Sequence, residues 1–212
     1  MVQKEPKRRG RPRAYDPETA LSRATETFWK AGYAGTSLDD LGAAMGMNRP
    51  SLYAGFGDKR GLYIKTLERY YAEVRAMVRD ALADDPPLRT FMHRFYAAAL
   101  ALYMSGKDGG RGCYSIVTAA TQATLDPDIR ALVVRGLHQL DALFAERIRL
   151  AQQRGEIPRA ADPVALAYLA SATLHTLALR SRAGLSRQEL EALFAAAIDV
   201  VCGRAASRVT HP

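Results

Sequence analysis

The chain has 212 residues, 48% of them hydrophobic, and carries a formal net charge of +8 from 30 lysines and arginines against 22 acidic residues. That length and apolar content exclude both a disordered chain and a lone module of about sixty residues, and leave room for one or two buried cores. Its two cysteines, Cys113 and Cys202, allow at most one bridge, which excludes a disulfide scaffold and fits free thiols in a reducing compartment.

The positive charge is concentrated at the start. Lys4, Lys7, Arg8, Arg9, Arg11 and Arg13 face a single Glu5, so the first fourteen residues carry +5 and the other 198 only +3. No apolar stripe folds this stretch, and residues 1–14 read as a disordered basic arm. Within it, Arg9-Gly10-Arg11-Pro12-Arg13 has the core of an AT-hook. Glycine lets an extended backbone approach closely, proline holds it extended, and the arginines suit a narrow, electronegative minor groove. No apolar segment follows the basic start, so no secretory signal is expected. The alanine-rich stretch 164–179 is too short and too interrupted by Ser171, Thr173, His175 and Thr176 to span a membrane. The expected location is the cytoplasm.

Asp16-Pro17, a cap followed by proline, starts a helix that runs to about Ala31 with Ala20, Leu21, Ala24, Phe28 and Ala31 on one face, and Gly32 ends it. Ser37 and Asp40 form a capping pair for a second helix marked by Leu38, Leu41, Ala44 and Met45. Gly46 suits the left-handed residue that closes it, and Asn48 caps a third helix that tolerates Pro50 in its first turn. The third helix turns Arg49, Ser51 and Tyr53 outward and Leu52 and Phe56 inward. Stretch 36–59 is thus a helix-turn-helix, and its short polar second member is what a DNA major groove accepts.

Asp58 caps a long fourth helix whose stripe of Leu62, Thr66, Leu67, Tyr70, Val74, Met77 and Ala81 continues toward Ala83. Asp84-Asp85-Pro86-Pro87 breaks it and marks a candidate junction. A helix over about 88–105 follows, then a glycine-rich loop over 106–112 with Lys107, Asp108 and Arg111, and a helix over about 113–123. Asp126-Pro127 and Asp162-Pro163 repeat the cap-proline signal for two more, and a last helix covers about 186–204. Strand alternation, hairpin signals and internal repeats are absent from the pattern. The fold expected is all-α, about nine helices: a three-helix DNA-binding head over 15–60, a helical body over 61–204 and a tail over 205–212.

Phe28, Gly32, Tyr33, Thr36, Leu41, Gly46, Ser51, Leu52, Tyr53, Phe56, Lys59 and Leu62 follow a pattern that resembles the TetR family of bacterial transcriptional repressors. The resemblance is specific over about 14–63; beyond that, length and helical layout agree. It implies a DNA head, a fourth helix leading to a ligand-binding body, and pairing of the last two helices with those of a second chain. It further implies that Thr36 and Ser37 hold a phosphate at a helix start. Asn48, Arg49, Pro50 and Ser51 would open the recognition helix, with Arg49 suited to a bidentate contact with guanine, while Tyr53 and Lys59 would grip flanking phosphates. Gly55 departs from the family, many members of which carry histidine there, and the arginines of the basic arm are expected to compensate.

For the body, Phe91, Phe95, Tyr96, Tyr103, Met104, Cys113, Thr118, Gln122, His138, Leu174 and His175 are candidates to line a mostly apolar effector pocket, with ordinary core as the competing reading. Histidines and cysteines lack metal-ligand spacing, so neither metal nor cofactor is expected. Arg111-Gly112-Cys113 places a thiol at an expected helix start beside a cation, which raises a thiol-based redox or electrophile sensor as an alternative; the resemblance adds that some subgroups of the family sense through cysteine. Ala165, Ala170, Ala172, Ala178, Ala192, Ala195, Ala196 and Ala197 permit close packing in a homodimer. An enzyme built on the helical body is the competing class, and no nucleophile-base pair, phosphate loop or carboxylate pair supports it. The function expected is a ligand-responsive dimeric repressor of a palindromic double-stranded DNA operator, released by a small-molecule effector.

Overall fold

A computed structural model describes residues 15–106 and 109–203. The arm with Arg9, Arg11 and Arg13, the loop residues Lys107 and Asp108, and the 205–212 tail lie outside the described residues.

Among the described residues there are eight α-helices, joined by short turns except between the fifth and sixth: α1 Pro17–Ala31, α2 Leu38–Met45, α3 Arg49–Phe56, α4 Lys59–Ala81, α5 Leu88–Tyr103, α6 Pro127–Gln153, α7 Pro163–Arg182 and α8 Arg187–Cys202. Strands are absent among the described residues. The caps stand where the sequence places them. Asp16 accepts the amide of Thr19 at 2.8 Å, Ser37 and Asp40 cap each other reciprocally, Asn48 accepts Ser51 N–H at 2.9 Å and Asp58 accepts Gly61 N–H at 2.7 Å. Each satisfies an amide that has no partner inside its own helix. Gly46, at φ 65°, takes the left-handed conformation that turns α2 into α3.

The segment expected as a regular helix over 113–123 is irregular. It forms a π-helical turn, Ser115–Ala119, and a short 3-10 turn, Gln122–Thr124. Side chains tie it to α4: Tyr63 Oη donates to Thr118 Oγ1 at 2.7 Å, and the hydroxyls of Thr66 and Tyr114 share a hydrogen bond of 2.6 Å. Tyr114 and Thr118, four residues apart, share the side of the segment turned to α4.

The head packs α1, α2 and α3 around Phe28, Leu41, Met45, Leu52 and Phe56, all buried. A continuous row of aromatic rings leads from there into the body. Phe28 meets Tyr63 with ring centres 5.0 Å apart, Trp29 meets Tyr114 at 5.1 Å, and Tyr114 meets Tyr70 at 5.6 Å. In the body, Phe91, Phe95, Tyr96 and Phe144 form a second aromatic core between α5 and α6. Each fully buried ring contributes about 1.5–3 kcal/mol by leaving water.

The break after α4 is a fixed corner. Asp84 and Asp85 have φ of 64° and 45°, a left-handed conformation that aspartate tolerates better than most residues. Arg147 of α6 donates to Asp85 at 2.9 Å and to the Pro86 carbonyl at 2.6 Å, and Arg154 also binds Asp85. The two guanidinium groups hold the Asp85 carboxyl below the usual carboxylate range, Arg154 contributing most.

Candidate nucleic-acid interface and effector cavity

The outer face of α3 carries Arg49, Pro50 and Tyr53, all exposed, with Ser51 half-buried beside them. Leu52 and Phe56 lie beneath, which is why the helix presents one polar side. Arg49 is not free. Its Nε and Nη2 donate to the two carboxylate oxygens of Asp39 on α2, at 2.9 and 2.8 Å, and that bond is the largest cause of a lowered Asp39 carboxyl pKa. Asn48 spends its side-chain oxygen on the cap of α3. Lys59, at the start of α4, holds its ammonium 4.4 Å from the centre of the Tyr33 ring, on the flank of α3.

Two expected contacts take a different form. Thr36 is buried, and its hydroxyl donates to the Gly32 carbonyl at 2.7 Å, so that side chain serves the turn and not a phosphate. Ser37 donates its hydroxyl to Asp40 at 2.6 Å, leaving the first-turn amides of α2 as the polar groups facing outward. Gly55 has a packing reason that the sequence did not reveal: the Tyr15 hydroxyl occupies the space a β-carbon would need.

A cavity of about 350 Å³ opens in the body, within the size range of small-molecule sites. Its walls come from Tyr70, Tyr71, Val74 and Met77 on α4, Phe95, Ala99 and Tyr103 on α5, Val133, Gly136, Leu137 and Leu140 on α6, and Leu174 and His175 on α7. The irregular segment closes one end with Cys113, Ser115, Ile116 and Ala120. Of the residues singled out from the sequence, Phe95, Tyr103, Cys113, Leu174 and His175 are thus brought together. The others are not. Phe91 and Tyr96 are packed in the second aromatic core, and Thr118 is occupied by Tyr63 and the Tyr114 carbonyl. Gln122 and Met104 lie off the walls. His138 is exposed on the outside of α6, because the cavity takes Gly136, Leu137 and Leu140 from that helix and 138 falls on the opposite side. On α4 the sequence pattern places Tyr70, Val74 and Met77 in a core stripe and does not single out Tyr71.

At the closed end, Cys113 Sγ lies 3.0 Å from Tyr70 Oη and 3.2 Å from Ser115 Oγ. Burial raises the pKa values of Tyr70 and Tyr103 well above the ordinary phenol range, so both remain protonated. Burial also lowers that of His175, opposed by Asp141, which favours the neutral imidazole. Two residues before Cys113, Arg111 binds the head. It forms an ion pair with Glu26 at 2.8 Å, and its guanidinium sits 3.6 Å from the centre of the Trp29 ring. Cavity wall and α1 are therefore joined by three consecutive residues.

The pattern described as "Bacterial regulatory proteins, tetR family" matches residues 20–66, and "Tetracyclin repressor-like, C-terminal domain" matches residues 88–197. The chain is 33% identical to the HTH-type transcriptional repressor ComR of Escherichia coli over 196 residues, 87% of this chain and 88% of ComR. The chain belongs to the TetR family. A second E. coli relative, the HTH-type transcriptional repressor BdcR, is 31% identical over 66% of this chain and 68% of its own length. Among solved structures, a cysteine mutant of the TetR family regulator CifR in complex with 26-base-pair operator DNA superposes with a TM-score of 0.80 at 31% identity, covering 89% of this chain and 98% of that one. This TetR protein is accordingly a helix-turn-helix transcriptional regulator. No described helix is long and apolar enough to cross a membrane.

Proposed function

We propose that the protein is a dimeric repressor that grips a palindromic operator through α3 and is released when a small molecule fills the body cavity. The observation that carries this reading is the outward face of α3, with Arg49 and Tyr53 exposed on a capped helix, in a fold that matches an operator-bound regulator. Arg49 would read a guanine edge; Tyr53, Lys59 and the first-turn amides of α2 would hold phosphates on either side. The arm over 1–14, with Arg9, Arg11 and Arg13, would enter the adjacent minor groove, head 15–60 and body 61–204 dividing reading from sensing. The body then has a binding role and not a catalytic one, and the protein works in the cytoplasm, where bacterial DNA is held.

The second chain would seat on α7 and α8. Val164, Tyr168, Leu169, Leu179 and Val200 are exposed there, with Ala165, Ala172, Ala192, Ala195 and Ala196 between them. Ala170 and Ala178 face inward and belong to the subunit's own core. An apolar face of this kind favours association. Footprinting upstream of the protein's own gene, repeated with Arg49→Ala, tests the reading. A protected palindrome that the variant no longer distinguishes from scrambled duplex is expected; undiminished discrimination by the variant refutes it.

A second reading has its own observation: Cys113 faces the cavity next to two hydroxyls. In that reading an electrophile adds to Sγ and the adduct, in place of a reversible ligand, releases DNA. Complete alkylation of Cys113 with no loss of operator affinity would discard it.

A further inference from the structure

The walls of the cavity divide its chemistry in two. No lysine, arginine, aspartate or glutamate lines it among the described residues, and most of the lining is aliphatic or aromatic. The hydroxyl and thiol groups of the lining, on Tyr70, Tyr71, Tyr103, Cys113 and Ser115, come from α4, α5 and the irregular segment, and the imidazole of His175 on α7 is the other polar side chain. Two hydrogen bonds join Tyr70, Cys113 and Ser115, and Tyr71 and Tyr103 bring two further hydroxyls to the same lining, so five donor hydrogens are present and some are left to point at a guest.

We infer that the effector is an uncharged, largely apolar molecule of bicyclic size bearing one hydrogen-bond acceptor, such as a carbonyl, held against the Tyr70–Cys113–Ser115 cluster. This deepens the regulator reading above and rests on the cavity being its effector site. An ionised carboxylate would lose its water and meet no cation, a penalty that exceeds what neutral hydroxyls return. A pure hydrocarbon would fill the apolar walls but leave the spare donor hydrogens buried without an acceptor. The aromatic side chains of α4 and α5 offer faces and edges to a flat guest.

Three probes of nearly equal size separate these cases: 2-acetylnaphthalene, 2-ethylnaphthalene and 2-naphthoate, titrated by calorimetry against the full chain. The ketone is expected to bind about threefold to tenfold more tightly than the hydrocarbon, the range one net hydrogen bond supplies, and at least tenfold more tightly than the anion. In the Tyr70→Phe/Ser115→Ala variant the gap between ketone and hydrocarbon should shrink, the ketone losing donors and the hydrocarbon no longer leaving them unpaired, and an unchanged gap overturns the inference. Naphthoate binding as tightly as the ketone overturns the inference, as does equal binding of ketone and hydrocarbon by the unaltered chain, or binding of none of the three. If the double variant fails to fold, Ser115→Ala alone carries the comparison, with a partial loss of the ketone's advantage expected and none overturning it. Retention of the same preparation on DNA is read separately: its loss counts against the regulator reading and leaves the ranking of probes untouched.

Discussion

The indole N–H of Trp29 donates to the backbone carbonyl of Arg111 at 3.1 Å while the guanidinium of the same arginine covers its ring. Trp29 is the chain's one tryptophan, so its emission reports on the contact between α1 and the cavity wall. Arg111→Ala is expected to shift that emission and to destabilise the fold by about 1–2 kcal/mol through loss of the cation–π contact. Urea unfolding followed by fluorescence measures both. An unchanged spectrum would mean the stacked arrangement is not kept in solution.

Asp39 occupies one bidentate edge of the Arg49 guanidinium, Nε and Nη2, which the arginine would otherwise offer to a base. Replacing it by asparagine removes a negative charge from the DNA-facing side and frees the arginine. Asp39→Asn should bind specific and scrambled duplexes several-fold more tightly at low salt, with a smaller ratio between them. Electrophoretic mobility shifts on both duplexes check this; weaker binding to the specific one would instead make Asp39 the group that aims Arg49.

Arg60 at the start of α4 binds Asp126 and Asp128 at 2.5 Å each, tying the base of the head to the start of α6. The hydrogen bond from Arg60 is the main reason the Asp126 carboxyl is held at about 2, below its ordinary 3.8. A lowered carboxyl pKa gives stability that is complete above the unfolded value and lost as pH falls through the folded one. Asp126→Asn keeps a capping oxygen and removes the charge. The variant should be less stable than the parent at neutral pH, and the gap should close between about pH 4 and pH 2. A gap that persists at the acid end would assign the effect to capping.

Gly55 and Tyr15 compete for one space. Alanine is favoured over glycine inside a helix by about 1 kcal/mol, yet Gly55→Ala should destabilise the head, since it pushes Tyr15 off Phe56, 6.0 Å away ring to ring. With Tyr15→Ala already present, the same change should become stabilising. Thermal unfolding of the four proteins in the cycle tests the reversal of sign.

Leu169 stands on the exposed apolar face of α7, half of its surface open at 52%. Leu169→Arg should convert the dimer to monomer at micromolar concentration with little loss of helix. Light scattering and circular dichroism together decide it, and a persistent dimer would move the interface elsewhere.

Local chemistry was legible in the sequence. Capping residues, the left-handed Gly46 and the inward pair Leu52 and Phe56 specify their neighbourhood within a few residues, and the head follows from them. The cavity was half legible because its walls join helices distant in sequence. Tyr70, Tyr71, Val74 and Met77 obey the same periodicity whether they face core or void, so periodicity alone could not separate them from Leu67. His138 and Thr36 failed for the complementary reason: each is polar and well placed in the chain, but one turns out to solvent and the other into a carbonyl. The partner of Gly55 lies forty residues away and had no local signal.

The corner at Asp84 and Asp85, clamped by Arg147 and Arg154, fixes where α4 is able to move. With that end held, the helix can swing as a lever about Ala81 only when the pairs from Arg60 to Asp126 and Asp128 at its other end yield or move with it, and displacement then grows along its 23 residues. A tilt of about 5° over a length of about 34 Å carries the Lys59 end by about 3 Å. The cavity touches the rod from its middle toward the held end, at Tyr70 through Met77, so in the release proposed above a guest that pushed there would have its largest stroke where the reading helix is attached.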